Sequence, residues 1–585
     1  MEIKMSQNRG RLLFIMGCCY FLIAIIFFRL LYLQIYKHDE FKTRSKRQIR
    51  KVIKIDAHRG TIYDRHGDPL AISRPSYSIY AVPPEIKDKH LFAEHISKLL
   101  NQDKLYVYEK INTKFPFVWL KRKTSEEIRD AVVASKLKGV SFLVEEKRYY
   151  PNNDLAGDVL GFVGTDKGLG GLEYAFDDLL RGSSGQVIVE GDPRGYRLIS
   201  GYRDVQGKPT GFQQGVKGLS AHSFDGGHIY VTLDKTIQYA AEKALREGVQ
   251  RYHAKKGQVI VMDPHTGDIL AMADYPSFNP NHFYRYSNAI LKNSTVVDVF
   301  EPGSVFKMVV YSASLEEGKV TPGTVITVPE EYDLFGRTIR EAHERKEGES
   351  DDKTVSEIFE QSLNVGTTLL ALDLGEEIFY RYMRLYGFGE RAKVSLPGES
   401  AGLLKAPDKW SKVDIGMMSF GQGVGVTTLQ LATALSVIAN GGTLVKPRVV
   451  HYKTDHEGVT FHGTPQKNIH RVISQKTARL TREAMARVVT QGTGGIVRLK
   501  GFSLAGKTGT AQVAGPAGSG YLEGEYVSSF SGFLPAENPK YVIVVNIHSP
   551  QGKYYGSTVA GPVFKQVAWR LIDHYDILPD RYQNQ

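Results

Sequence analysis

Three short motifs, far apart along the chain, constrain the fold of this sequence more than any other feature. They are Ser304-Val305-Phe306-Lys307, Ser362-Leu363-Asn364 and Lys507-Thr508-Gly509. Asn364 follows Ser304 by 60 positions, and Lys507 follows Asn364 by a further 143. Each pattern alone is common, since Ser135-Lys136-Leu137-Lys138 and Ser277-Phe278-Asn279 fit two of them. The order, spacing and surroundings of the first three motifs are the specific signal, because neither of these two matches shares that setting.

The first motif has the spacing of a nucleophile and its base. Pro302-Gly303 is typical of the start of a helix, and residues three apart on a helix share one face, so Lys307 can reach the Ser304 hydroxyl. A lysine removes the proton of a serine only when it is partly neutral. Lowering a lysine pKa from about 10.4 by three units costs about 4 kcal/mol. Burial and a second cation, for which Lys507 is the candidate, could supply this. An exposed helix face is the alternative for this motif taken alone.

The second and third motifs offer groups that bind peptides. Ser362 supplies a second hydroxyl for proton relay, and the Asn364 amide can both donate to and accept from a peptide backbone. Lys507 and Thr508 offer a cation and a hydroxyl to a substrate carboxylate. The structural alternatives are a helix-capping role for Ser362 and an ordinary turn at Lys507-Thr508-Gly509.

Backbone groups beside the motifs complete a plausible reaction centre. The small Gly509 would let a substrate lie close against its strand. Thr510 could present its backbone N–H, together with that of Ser304, as an oxyanion hole. The three motifs in this order match the signature of enzymes that form an acyl-serine with a D-alanyl peptide or a β-lactam.

An uncharged apolar run near the N-terminus predicts a membrane span. The run extends from Leu12 to Phe28 and continues after Arg29 to Ile35. As a helix, residues 12–35 reach roughly 35 Å, enough to cross a bilayer when tilted or when Arg29 snorkels to one interface. The residues after the run lack the small side chains that a signal peptidase needs, so an anchor is favoured over a cleaved signal peptide. Residues 1–11 are then expected to form a cytoplasmic tail, although flanking basic residues on both sides leave the orientation open.

Composition excludes several classes of function. The only two cysteines, Cys18 and Cys19, lie in the apolar run, which excludes thiol catalysis or a cysteine metal site in the remainder. The net charge of +12 suits attraction to anionic lipid, lipid-linked pyrophosphate or an acidic polymer, or simply a solvated basic surface. No pattern supports nucleic-acid binding. We expect no cofactor and no metal site.

Two domains are expected beyond the apolar run. Residues 36–224 mix short apolar runs with glycine-rich turns and contain no catalytic constellation, which indicates an extended, mainly β pedestal domain. A boundary is expected near Asp225-Gly226-Gly227. Residues 225–577 are expected to form an α/β domain, an antiparallel sheet flanked by helices, and residues 578–585 a C-terminal tail.

Local patterns predict several elements of the second domain. Gln258 to Met262 and Ile269 to Met272 flank a turn and predict a hairpin. Tyr541 to Ile547 predicts another strand. Asp234 is a candidate cap for a helix. Apolar residues at helical spacing from Val563 to Ile572 predict a terminal helix packed on the sheet.

Further segments carry a resemblance over almost the whole chain beyond the apolar run. These segments are Arg59 to Ala71, Lys147-Arg148-Tyr149-Tyr150-Pro151, Gly170-Gly171-Leu172-Glu173, Pro276 to Asn281, Glu301-Pro302-Gly303-Ser304, Ser419-Phe420-Gly421-Gln422-Gly423 and Lys553-Tyr554-Tyr555-Gly556. With the three motifs, they make the chain resemble the class B penicillin-binding proteins, the monofunctional peptidoglycan D,D-transpeptidases. Within that family it most resembles the cell-division, FtsI-like type. The resemblance implies a penicillin-binding/β-lactamase-like transpeptidase domain after a dimerisation-type pedestal.

The resemblance also implies roles for the motif residues. Ser304 would be the nucleophile, Lys307 the base, and Ser362 and Asn364 would provide relay and substrate contacts. Lys507 and Thr508 would recognise a carboxylate. The implied substrates are the D-Ala-D-Ala end of a peptidoglycan stem pentapeptide and an acceptor strand, and β-lactam antibiotics would bind at the same serine.

The expected setting is a bacterial cytoplasmic membrane with the catalytic domain on its outer side. No glycosyltransferase domain is expected before the pedestal, so the expected partners include a polytopic glycan polymerase (FtsW-like) and other division proteins. An elongation-type transpeptidase shares every catalytic residue and stays the near alternative. A β-lactamase, a membrane β-lactam receptor and a catalytically inactive scaffold are the more distant ones.

Overall fold

The computed structural model describes residues 2–55, 57–115, 117–183, 185–190, 225–342, 349–461, 468–515 and 520–580. The chain divides into two compact units, each assembled from three separate stretches. Unit 1 contains Met1–Ala57, Ser76–Glu145 and Ser183–Phe224, and unit 2 contains His58–Pro75, Glu146–Gly182 and Asp225–Gln585. The units therefore do not follow one another along the chain.

The apolar run lies in a long helix. Helix α1 (Glu2–Leu31) continues through a π-helical turn, Tyr32–Tyr36, and is followed by α2 (His38–Ile49). In the part of the chain that the structure describes, Gly10–Tyr36 is the one helical segment long and apolar enough to cross a bilayer. Its large apolar side chains, such as Phe14 and Phe21, are exposed. A helix with apolar residues on all sides suits a lipid environment.

Unit 1 contains both strands and helices. Its elements are β1 (Arg50–Ile55), the second half of β3 (Pro69–Ala81), α3 (Lys89–Leu100), α4 (Lys104–Ile111), β4 (Val118–Thr124), α5 (Glu126–Ala134), most of β5 (Val140–Tyr149) and β6 (Gly185–Glu190). Strand β1 pairs antiparallel with β6, and β3 with β4. Phe92 and Ile96 of α3 pack with Ile79 of β3 and Leu120 of β4 in a small core. The expected strands are present, but the expectation of a mainly β pedestal underestimated the helices that cover them.

Unit 2 holds the larger share of the elements. Its strands are β2 (Ile62–Tyr63), β7 (His228–Val231), β8 (Lys256–Met262), β9 (Ile269–Tyr275), β10 (Val325–Thr327), β11 (Glu331–Leu334), β12 (Arg337–Arg340), β13 (Asp352–Thr354), β14 (Thr443–Val445), β15 (Val450–Thr454), β16 (Thr460–Phe461), β17 (Asn468–Arg471), β18 (Ala505–Ala514), β19 (Tyr521–Leu534) and β20 (Tyr541–His548). Its helices are α6 (Gly157–Leu160), α7 (Gly171–Ala175), α8 (Asp177–Arg181), α9 (Lys235–Arg251), α10 (Ser294–Val297), α11 (Lys307–Glu316), α12 (Val355–Glu360), α13 (Asn364–Leu374), α14 (Glu376–Leu385), α15 (Asp414–Ser419), α16 (Thr428–Ala439), α17 (Gln475–Thr490) and α18 (Gly556–His574).

A five-stranded antiparallel sheet organises unit 2. Its strand order is β18-β19-β20-β8-β9, which confirms the predicted β8–β9 hairpin and the predicted strand at β20. Helices α9 and α18 pack together on one face of the sheet, and the wholly buried α16 packs on β8 and β20. The Asp234 side chain caps α9, as predicted, by accepting the backbone N–H groups of Thr236 and Ile237. The sequence-predicted fold class, an antiparallel sheet flanked by helices, is confirmed.

Candidate active site

The first motif lies at the start of a buried helix. Gly303–Phe306 forms a 3-10 turn that contains Ser304, and α11 begins at Lys307. Gly303 has φ of +56°, a conformation that glycine adopts without strain, and its N–H donates to the carbonyl of Gly421 at 3.2 Å. Residues three apart in a 3-10 turn lie on the same side. Ser304 and Lys307 therefore share one face, with Ser304 partly exposed and Lys307 fully buried.

The Lys307 ammonium joins the first motif to the second. Its Nζ donates to the Ser362 carbonyl oxygen at 2.6 Å and to Asn364 Oδ1 at 2.8 Å, and it lies 3.4 Å from Ser362 Oγ. None of the hydrogen bonds that the structure describes joins Lys307 Nζ to Ser304 Oγ. Catalytic hydrogen bonds of a free enzyme often tighten only when substrate binds.

The third motif also contacts the Ser362 hydroxyl. Lys507 Nζ on β18 donates to Ser362 Oγ at 2.7 Å and to the Thr508 carbonyl oxygen at 3.3 Å. The Ser362 hydroxyl therefore lies between two lysines. Ser362 has φ of +62°, which is unfavourable for a side chain with a Cβ. Such conformations cluster at functional sites, where the surrounding contacts hold them.

Burial changes the charge state of both lysines. It lowers the pKa of Lys307 to about 7, although the Glu341 carboxylate acts in the opposite direction. It also lowers the pKa of Lys507 well below its usual value, and the neighbouring Lys307 adds to that effect. Repulsion between two cations is mutual, so a proton on either lysine disfavours a proton on the other. Burial is the cause of the lowered Lys307 pKa, whereas the sequence analysis expected a contribution from Lys507 as well.

Glu341 is a residue of this centre that the sequence analysis missed. Its carboxylate accepts the backbone N–H of Asn364, and it accepts that of Val365 at 3.0 Å, so it caps α13. The Asn364 Nδ2 donates to the Arg340 carbonyl at 2.9 Å. A negative charge at a helix N-terminus is stabilising. These contacts hold Asn364 with its Oδ1 toward Lys307.

The motif residues line a cleft of about 340 Å³. Its lining residues are Gly303, Ser304, Ala342, Ser362, Asn364, Phe420, Gln422, Thr493, Thr508, Thr510, Ala511, Gln512, Tyr526, Tyr554, Tyr555, Gly556 and Ser557. The two lysines and Gly509 lie behind this surface. Thr493 is a second residue that the sequence analysis missed, and its hydroxyl lies 2.8 Å from that of Thr508. Two threonine hydroxyls therefore stand together at the cleft wall.

Strand β18 forms the wall opposite α13. It is an edge strand, paired only with β19 in the described sheet, and Thr508 to Thr510 lie opposite Ser528 to Phe530. The Thr510 hydroxyl accepts the Gly556 N–H at 3.1 Å. An edge strand has free backbone N–H and C=O groups with which an extended peptide can pair.

Comparison with known proteins agrees with this geometry. Residues 257–568 match the family model of the penicillin binding protein transpeptidase domain, and residues 54–210 match that of the penicillin-binding protein dimerisation domain. The chain belongs to the penicillin-binding protein transpeptidase family. Its architecture makes it a class B member, and it is a peptidoglycan D,D-transpeptidase by class.

Relatives match this transpeptidase over nearly its full length. A probable peptidoglycan D,D-transpeptidase PenA of Neisseria meningitidis is 31% identical and covers 99% of this chain and 95% of its own. The peptidoglycan D,D-transpeptidase FtsI of Escherichia coli is 30% identical and covers 96% and 92%. Among solved structures, penicillin binding protein 3 of Mycobacterium tuberculosis complexed with aztreonam is 27% identical, with a TM-score of 0.68, covering 90% of this chain and 98% of that one.

Gly509 gives a prediction that tests the packing of the transpeptidase centre. A Cβ at this position would lie 2.9 Å from Val305 Cγ2 and 3.0 Å from the Pro302 carbonyl oxygen. Because Gly509 has no side chain, β18 can approach the Ser304 segment. The expectation that Gly509 also lets the substrate lie close to the strand stays a prediction. We expect Gly509→Ala to slow acylation by penicillin about 100-fold, since a displacement of about 1 Å costs that much.

The measurement is the second-order acylation rate with a fluorescent penicillin. Gly323→Ala is the matched control, because a Cβ at that glycine would meet no atom within 4 Å. Equal rates for Gly509→Ala and the control would contradict the role of close packing.

Proposed function

We propose that this transpeptidase cross-links peptidoglycan stem peptides through an acyl-enzyme at Ser304. The observation that carries the proposal is the arrangement of Ser304 at a cleft backed by two buried lysines that share the Ser362 hydroxyl. This arrangement supplies a base of lowered pKa, a relay and a place for an extended peptide. No cofactor enters the reaction.

In the first half of the reaction, Ser304 Oγ attacks the carbonyl carbon of the penultimate D-Ala. Neutral Lys307 takes the hydroxyl proton, because a base with a pKa near the working pH combines availability with driving force. The tetrahedral intermediate then expels the terminal D-Ala. That leaving amine gains a proton through Ser362, which lies between the two lysines, and an ester to Ser304 remains. A β-lactam reacts by the same attack. The amine that is released when its ring opens remains covalently attached to the acyl group.

Backbone and hydroxyl groups of the cleft would stabilise and orient the donor. The N–H groups of Ser304 and Thr510 act as the oxyanion hole. The hydroxyls of Thr508 and Thr493 receive the terminal carboxylate at the cleft wall. Lys507, which precedes Thr508 on β18 and donates to the Ser362 hydroxyl at 2.7 Å, would add a positive charge to this end of the cleft. Asn364 contacts the donor peptide backbone.

In the second half, an amine of a neighbouring strand attacks the ester carbonyl. The amine loses a proton to the Lys307–Ser362 relay, the new amide forms, and Ser304 Oγ regains its proton. The product is a peptide cross-link, and the enzyme returns to its starting state. The free edge of β18 and the three tyrosines of the cleft, Tyr526, Tyr554 and Tyr555, offer surfaces for the two peptides.

The anchor and the pedestal define the proposed setting. We assign residues 1–11 to a cytoplasmic tail, 12–35 to the membrane span, 36–224 to the pedestal, 225–577 to the transpeptidase domain and 578–585 to a C-terminal tail. The catalytic domain would lie on the outer side of the bacterial cytoplasmic membrane, where peptidoglycan is assembled. Glycan polymerisation would come from a polytopic, FtsW-like partner, with other division proteins.

A septal role is the specific function that we favour. The support is the resemblance to the FtsI-like type, together with 30% identity to FtsI over 96% of this chain. A stage V sporulation protein D of Bacillus subtilis is also 30% identical, over 100% of this chain. Proteins with other specialised names therefore share the same level of sequence identity with this chain. An elongation role shares the same chemistry.

Cellular localisation distinguishes these roles. We expect a fluorescent fusion of the chain to collect at midcell, and depletion of the chain to give filaments, because cross-linking would fail only at the septum. The control is a Ser304→Ala fusion, which should reach midcell without supporting division. A uniform lateral distribution and rounded cells after depletion would contradict the septal role and favour elongation, while acylation at Ser304 would be unaffected.

A further inference from the structure

A second cluster of polar side chains lies outside the cleft. His66 Nε2 and His574 Nε2 each lie 3.0 Å from Asp234 Oδ2, and the Tyr575 hydroxyl donates to the same oxygen at 2.8 Å. The metal-ligating atoms of His66, Asp234 and His574 all lie within 4.8 Å of one another. Asp234 is buried, whereas the side chains of His66 and His574 are 57% and 26% exposed, so solvent reaches the cluster.

More polar groups surround the Asp234 carboxylate than its lone pairs can accept as hydrogen-bond donors. Its Oδ1 accepts the backbone N–H groups of Thr236 at 2.9 Å and Ile237 at 3.2 Å. With two imidazole nitrogens and a phenol on Oδ2, five groups face a carboxylate that has about four lone-pair sites if both imidazoles donate. Three of the five compete for the two lone pairs of one oxygen. This excess disappears if the two imidazole nitrogens present lone pairs instead of protons.

We propose that His66, Asp234 and His574 bind a single divalent zinc ion. Zinc takes imidazole nitrogen and carboxylate oxygen at about 2.0–2.2 Å in tetrahedral geometry, which separates ligand atoms by roughly 3.3 Å. Asp234 Oδ2 is already near that spacing from each imidazole nitrogen, at 3.0 Å, and the two imidazole nitrogens lie within 4.8 Å of each other. Oδ2 then uses one lone pair for the metal and one for the Tyr575 hydroxyl, while Oδ1 keeps its two backbone donors. Water completes the fourth position.

The surroundings hold the three ligands in place before a metal arrives. Asp64 Oδ1 accepts the N–H groups of His66 and Asp68, both at 2.8 Å, which fixes the turn that carries His66. The Tyr575 hydroxyl donates to Asp234 Oδ2 at 2.8 Å and helps to fix the position of that oxygen.

The site would join three elements of unit 2. His66 lies in the turn between β2 and β3, Asp234 caps α9, and His574 is the last residue of α18. A zinc ion bound by these residues would link the C-terminal end of α18 to the turn between β2 and β3. The Arg65 guanidinium lies 3.5 Å from the Tyr575 hydroxyl. Its positive charge would repel the zinc ion and lower the affinity of the site for zinc. This proposal departs from the expectation of no metal site.

The test is zinc binding by the full-length chain in detergent, purified without a polyhistidine tag and stripped with a chelator. Titration of zinc chloride against a chromophoric chelator should give one competing site per chain. The double variant His66→Gln/His574→Gln should lose it. Asp234→Asn should weaken it at least tenfold while keeping the helix cap, because asparagine also caps helices. Tyr575→Phe should weaken it about tenfold, as changes to outer contacts of metal ligands do.

Two controls make the result decisive. His451→Gln removes an exposed histidine outside the cluster and should leave the site unchanged. Each variant should still be acylated by fluorescent penicillin, which shows that unit 2 is folded and that the transpeptidase centre is separate. Cobalt substituted for zinc should give the visible absorption of a tetrahedral ion in the wild type and in His451→Gln, but not in the double variant. No competing site in the wild type, or equal binding by the acylatable double variant, would overturn the proposal.

Discussion

Ser304→Ala is expected to eliminate covalent labelling by penicillin without unfolding the protein. Ser304 Oγ is the atom that would form the ester, and alanine has no group that can replace it. The side chain is partly exposed at the cleft, and no hydrogen bond of its Oγ is present in the described part of the chain, so its loss should leave the packing intact.

The measurement is fluorescent penicillin labelling followed by peptide mass mapping of the wild-type adduct. Ser135→Ala is the matched control, because Ser135 begins another Ser-x-x-Lys sequence in the chain. Its hydroxyl donates to the Val132 carbonyl at 2.6 Å at the end of α5, in unit 1, and the neighbouring Lys136 and Lys138 are exposed. An adduct on Ser135, or labelling that survives in Ser304→Ala, would refute the assignment.

The sequence predicts local structure and the motif chemistry well, since both depend on neighbouring residues. The β8–β9 hairpin follows from two apolar runs and a turn, and the Asp234 cap follows from a carboxylate placed just before a helical pattern. The Ser-x-x-Lys spacing places two side chains on one face whatever surrounds them. These features need no knowledge of distant contacts.

Contacts between distant segments account for what the sequence did not predict. Glu341 supports the centre by accepting the N–H of Asn364, 23 positions away, and no local pattern marks a glutamate for that contact. Thr493 meets Thr508 only because α17 and β18 pack together. Three of the five groups around Asp234, those of His66, His574 and Tyr575, also come from distant segments of the chain. Each of these contacts depends on tertiary packing, which periodicity and composition do not encode.

Lys307→Ala and Lys507→Ala are expected to impair acylation in different ways. Loss of the base should reduce the rate by about 10²–10⁴-fold. Loss of Lys507 should also slow acylation, since it removes a cation from behind the carboxylate site. Both lysines are buried, so thermal unfolding of each variant is measured beside the rate, and Lys553→Ala, at a position outside the two-lysine cluster, is the control.

The pH dependence of acylation separates the roles of the two lysines. The folded pKa of Lys307 is about 7, below its usual value, so its neutral form accumulates as pH rises and the wild-type rate should rise through pH 7. We expect loss of the Lys507 cation to make protonation of Lys307 easier, because a nearby positive charge disfavours protonation. The Lys507→Ala profile should therefore move to higher pH as well as fall in amplitude. An unchanged midpoint with a lower amplitude would restrict Lys507 to carboxylate recognition. An unchanged rate at every pH would refute both roles.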